Sequence, residues 1–167
     1  MLKKVIYASL IIIWCIVIFN FSSMNAADSG NKSKEVIKTV TTYTCAVGYK
    51  MGLLEKMPAE DSIEWFATNM NTPFRKASHA FVYFVLATIL MFAIRKNTKI
   101  PIWGAVLISF VVCFVYSLTD EFHQTFVTGR GGDIRDCLID SAGALLAILI
   151  YVVIRWIHRS FNKSERK

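Results

Sequence analysis

The 167 residues are 54% apolar and carry a formal net charge of +7, with a positive mean hydropathy. A water-soluble domain of this length has too little interior to hide so much apolar surface. A bilayer takes it up readily, one helix for each run of ~20 apolar residues.

Four runs meet that requirement: 5–21, 77–94, 100–118 and 137–157. The first three contain no formal charge, and the fourth carries only Asp140 near its start and Arg155 near its end. The sequence therefore predicts an all-α membrane protein with four transmembrane helices. An extracytoplasmic segment of short amphipathic helices, residues 24–76, lies between helices 1 and 2, and the whole of 1–167 forms one membrane domain. With both termini cytoplasmic, the inner side holds Lys3, Lys4, Arg95, Lys96, Lys99, Arg155, Arg159, Lys163, Arg166 and Lys167 against the single acid Glu165. That is the positive-inside pattern. It accounts for the basic balance without nucleic acid.

The first run follows Lys3-Lys4 and precedes Ala26-Ala27, an arrangement similar to a signal peptide. There is no clean small-x-small cleavage site, so a retained helix is expected, closing in Ser22-Ser23. Asp28-Ser29-Gly30-Asn31 reads as a turn. Beyond it Val36, Val40, Tyr43, Val47, Met51 and Leu54 form one face of an amphipathic helix. A second short helix follows Pro58, with Trp65 suited to the headgroup region. Both pieces fit either the membrane surface or a lid on the bundle.

Asn71-Thr72-Pro73 is expected to start the second span, since Pro suits a first helical turn. Lys76, His79 and Tyr83 then share a face. The third span runs on through Tyr116, Asp120, Glu121, His123 and Gln124, with Gly129 as its expected end. Two carboxylates, an imidazole and an amide at the end of an apolar helix are costly at low dielectric and imply partners or water. Asp133 and Asp136 read as a capping box for the fourth span. Asp136, Asp140, Gly143 and Ala147 line one face, with Asp140 expected to pair with Lys76, His79 or Arg130. That polar-then-small stripe invites close helix packing. Of the four cysteines, Cys45 and Cys137 fall on the outer side, where a disulfide is one option and idle thiols the preferred one.

Four segments thus deliver polar groups to one level of the bundle. Phe19-Asn20-Phe21-Ser22-Ser23, Arg75-Lys76-Ala77-Ser78-His79 with Tyr83, Asp120-Glu121-Phe122-His123-Gln124, and Gly129-Arg130 with Asp136 and Gly143 come in the order found in VanZ-like proteins. On these motifs the chain resembles the VanZ-like family of bacterial membrane proteins across nearly its whole length. The resemblance implies a cell-envelope role, and the family is named for a member associated with teicoplanin resistance.

Three readings follow. The first is a non-catalytic envelope factor whose outer cavity binds a lipid-linked cell-wall precursor or a lipoglycopeptide. In it Ser22, Ser23, Lys76, His79, Tyr83, Gln124, Arg130, Asp136 and Asp140 form the binding residues. The second is a membrane enzyme, a hydrolase or transferase. There Glu121, His123 and Asp120 supply the catalytic groups, with His79 as a further base or divalent-ion ligand. The third is a buried network that only fixes helix packing. No metal-ligand spacing or cofactor motif is present, so no cofactor is expected; the expected partners are membrane lipids.

Overall fold

The computed structural model describes residues 2–164, with side chains through Phe161. Met1 and the tail residues Glu165, Arg166 and Lys167 lie outside the described residues, as does the side chain of Lys163. Five helices follow one another: α1 Leu2–Ser22, α2 Ala26–Lys50, α3 Glu60–Asn97, α4 Ile102–Gln124 and α5 Ile134–Ser164. No strand occurs among the described residues. Helices α1, α3, α4 and α5 are each long and apolar enough to cross a membrane.

α3 is the hub. It packs most extensively on α5 and also meets α1, α2 and α4. Small residues make the α3–α5 seam: a Cβ added at Gly143 would stand 2.0 Å from the Ala80 carbonyl oxygen, so only glycine admits this approach. Ala87, Ala144 and Ala147 are buried with it. Close backbone approach supplies the dispersion contact that holds helices together where lipid removes the hydrophobic drive. Tyr83, Leu86, Met91, Ile18 and Cys113 fill the remaining core. Leu107, Leu149 and Ile154 point outward, as lipid-facing side chains do. Two hydrogen bonds tie down the sparsely buried α1: Trp14 Nε1 donates to the Val82 carbonyl at 2.8 Å, and Tyr116 Oη to the Cys15 carbonyl at 2.8 Å.

The segment between α1 and α3 differs from the expected turn and two short helices. Asn25 caps α2, its Oδ1 accepting from Asp28 N at 2.8 Å while its Nδ2 donates to Asp28 Oδ2 at 2.7 Å. The first contact satisfies a backbone N–H that would otherwise be orphaned, and the second holds the capping side chain in place. It starts the helix at Ala26, so residues 28–31 are helical. α2 stops at Lys50, leaving Leu54 beyond the helix but packed on Gly48.

α3 begins at Glu60 and passes through Pro73 without a break. Proline costs one hydrogen bond within a helix; here the packing of α2 supports the extension, with Ile37, Ile63 and Ala67 buried. Asn71 Nδ2 donates to the Gly30 carbonyl at 3.1 Å, and Lys34 and Lys38 both pair with Glu64. The two pieces are thus one antiparallel hairpin. At 1.5 Å per residue, the 38 residues of α3 reach about 57 Å, well beyond a hydrocarbon core of about 30 Å.

The end of α4 also departs from expectation. The helix closes at Gln124, and tight turns follow, with Phe126 N on the His123 carbonyl at 3.0 Å and Val127 N on the Gln124 carbonyl at 3.0 Å. Gly129 (φ +75°) lies in the loop beyond. Cys45 and Cys137 are free thiols, Cys137 buried in the helical seam.

Candidate functional site

The polar side chains gather where α1 and α4 finish, α5 begins and α3 passes through. Asp120, Glu121 and Gln124 share an inward stripe of α4 and are all buried. Gln124 holds the three together, its Nε2 lying 3.3 Å from both Asp120 Oδ2 and Glu121 Oε1. Its Oε1 accepts from Arg130 Nη1 at 3.2 Å, while Arg130 Nη2 donates to Ser29 Oγ at 2.9 Å. Arg130 therefore reaches the acids only through the amide. Glu121 Oε2 takes the backbone N–H of Asp133 at 2.9 Å. Ser22 is fully buried and adjoins Asp120, without a well-formed hydrogen bond.

Three further pieces surround this network. Ser23 Oγ lies 3.2 Å from His123 Nε2, and Phe19 packs on the same imidazole with ring centroids 4.6 Å apart. His123 thus faces α1. Lys76 Nζ pairs with Asp136 Oδ1 at 2.7 Å, binding α3 to α5. Deeper in the seam, Asp140 is wholly buried and accepts from Ser117 Oγ at 2.8 Å, leaving its Oδ1 unpaired. Tyr83, also wholly buried, adjoins Ser117.

Two sequence expectations are corrected here. Asp140 does not pair with Lys76, His79 or Arg130. Asp136, one turn nearer the helix start, already occupies Lys76, and the group facing Asp140 is a serine of α4. Asp133 and Asp136 do not form a capping box either. Asp133 Oδ1 accepts from Arg135 N at 2.9 Å, but the Asp133 N–H goes to Glu121 rather than back to Asp136.

Two cavities open beside these groups. The larger, about 650 Å³, lies between α1, α2 and α3, with walls that include Trp14, Ile18, Phe21, Phe74, Phe81 and Val82. The lining also includes Ser29, Lys32, Arg75, His79 and Arg130. The smaller, about 160 Å³, is lined by Lys76, Gln124, Asp136 and Asp140, and shares Arg75 and His79 with the first. Burial and the neighbouring Arg75 pull the pKa of Arg130 below the usual guanidinium value, though a guanidinium stays charged throughout the physiological range. Among the described residues, no three His, Cys, Asp or Glu side chains converge as metal ligands do.

The structure adds Arg75, Ser29 and Ser117 to the residues picked out from sequence. Arg75 and His79 are four apart, and Ser117, Asp120, Glu121 and Gln124 follow a helical stripe, so periodicity could have found Arg75 and Ser117. Ser29 was hidden by the turn-like composition around it.

A family model described as VanZ/LLP1 matches residues 7–155. The chain belongs to the VanZ/LLP1 family. No curated protein and no solved structure matches it. The VanZ/LLP1 match begins within α1 and ends within α5, so it takes in every residue of the polar cluster and both cavities.

Proposed function

We propose that this VanZ/LLP1 protein is a multi-pass component of the bacterial cell membrane that binds a lipid-linked or lipoglycopeptide group at the outer leaflet. The observation that carries this reading is the cavity of about 650 Å³, lined mainly by apolar side chains together with the cations Lys32, Arg75 and Arg130. Ligand sites combine apolar enclosure with a few placed polar groups in this way. The orientation follows from charge: Lys3, Lys4, Arg95, Lys96, Lys99, Arg155 and Arg159 belong to the end of the bundle opposite the polar cluster. The positive-inside rule puts that end in the cytoplasm. Sequestering such a group would change its access to the membrane and so contribute to teicoplanin-type resistance.

The test is the lipid content of the purified protein. Intact-mass analysis in gentle detergent should find a co-purifying envelope lipid with the wild type. Ala77→Phe, which fills the cavity from its wall, should lose that lipid at unchanged membrane abundance. Retention of the lipid by the filled variant would remove this function.

A second reading, an enzyme acting on the bound group, draws support from His79, which lines both cavities, and from carboxylates that no cation pairs directly. Incubation with labelled envelope lipids separates the two, since only an enzyme releases a changed product.

A further inference from the structure

We infer that Arg75 and Arg130 form a two-guanidinium clamp for the phosphate of an anionic lipid whose hydrocarbon chain lies against Trp14, Ile18, Phe81 and Val82. This rests on the cavity's taking a lipid-linked group and narrows that group to a lipid phosphate.

Both guanidiniums line the apolar cavity. Arg75 is half-buried and makes no hydrogen bond or ion pair with any described residue. Arg130 spends two nitrogens on Gln124 and Ser29 and leaves its buried Nε without a partner. The acids around Arg75 do not neutralise it: Asp136 pairs with Lys76, Glu121 takes the Asp133 N–H and Gln124, Asp120 takes Gln124, and Asp140, which lines the smaller cavity with Arg75, accepts from Ser117 and forms no ion pair with any described residue. Arg75 is near enough to Arg130 to disfavour its charged form. Two like charges brought together at a half-buried site, one of them unpaired, are unfavourable unless an anion joins them.

The shape of the groups selects the anion. A guanidinium is a planar fork that pairs with two oxygens at once. A carboxylate has two oxygens and is used up by one fork, whereas a phosphate monoester has three and can meet both. Ser33 and Lys32 add a hydroxyl and an ammonium to the same cavity. The chain end of the ligand is set by the walls. Phe21 and Phe81 are 53% and 60% exposed on a lipid-facing surface, so a hydrocarbon chain can enter from the bilayer without crossing water.

Calorimetric titration of the full chain in maltoside micelles, which carry no phosphate, tests the clamp with farnesyl phosphate, farnesol, palmitate and inorganic phosphate. Farnesyl phosphate should bind at least about tenfold more tightly than each of the other three, as expected for losing a charge-assisted contact or the chain. Arg75→Gln should weaken farnesyl phosphate by about tenfold or more, leaving farnesol binding and the melting temperature unchanged. Arg75→Lys should recover only part of the loss, and it serves in place of Arg75→Gln should that variant fold poorly. Equal affinity for farnesyl phosphate and farnesol or palmitate, or an Arg75→Lys protein as tight as wild type, overturns the clamp and leaves the lipid cavity standing. Inorganic phosphate binding as tightly as farnesyl phosphate would make the ligand a free anion and overturn the lipid assignment. Failure of every chain-bearing probe to bind would overturn the cavity reading as well.

Discussion

In the α2–α3 hairpin, Glu64 sits at an exposed surface between Lys34 and Lys38. At the end of α4, by contrast, Asp120 and Glu121 are buried and meet an amide and a backbone N–H, with Arg130 held off by Gln124. Charge is thus paired where water already screens it and pairing adds little. It is left to neutral donors where an unmatched carboxylate costs most. A region selected for stability alone would show the reverse distribution. The buried cluster is therefore an arrangement held at a cost by its surroundings, and beside it Gly143 meets Ala80 so closely that an added Cβ would stand 2.0 Å from the Ala80 carbonyl oxygen.

That contrast can be broken first at the seam. Gly143→Leu places atoms where the Ala80 carbonyl now sits. It should cost about 3 kcal/mol or more, the upper part of the range for overpacked sites, read as loss of folded protein from the membrane fraction. A stable Gly143→Leu protein would mean that the seam does not fix the cluster.

Within the cluster, Glu121→Gln and His123→Ala should each abolish function at near wild-type membrane abundance, measured as lipid retention and as protection against a teicoplanin-type drug. Glu121→Gln keeps an oxygen for the Asp133 N–H, so a collapse in abundance would return the cluster to a packing role. Arg130→Lys should fold and insert yet lose most activity, because one ammonium cannot span Gln124 and Ser29 and still face the cavity. The loss of binding should be about 1 to 3 kcal/mol, the worth of a charge-assisted contact. The smallest effect belongs to the hairpin, where Glu64→Gln should leave function unchanged and alter the melting temperature too little to measure. A functional defect there would erase the distinction between the two regions.

The spans were legible because lipid tolerates no unpaired backbone, so each crossing is a long apolar run with sharp edges. The expected run 5–21 falls inside α1 Leu2–Ser22, and 137–157 falls inside α5. The hairpin was not legible, since Asn71-Thr72-Pro73 and Pro58 are local stop signals, and only contact between α2 and α3 outweighs the first of them. In the site, Asp120, Glu121 and Gln124 were readable from helical spacing. Their partners were not, because pairing depends on which helices are neighbours. Lys76 meets Asp136 because α3 lies against α5, and no periodicity within one helix encodes that choice. Arg75 entered only as part of the Arg75-Lys76-Ala77-Ser78-His79 motif; its place in the larger cavity and the pairing of Lys76 with Asp136 set the two apart.

The unbroken passage of α3 through Pro73 has a mechanical consequence. The proline removes one rung from the helix ladder just two residues before Arg75, and helices bend most easily where a rung is missing. The hairpin is then a lever whose fulcrum adjoins one jaw of the arginine pair, while the other jaw, Arg130, is anchored partly to α2 through Ser29. A sideways load on the hairpin tip would turn both mounts at once and alter the spacing between the two guanidiniums before it strained the glycine seam below.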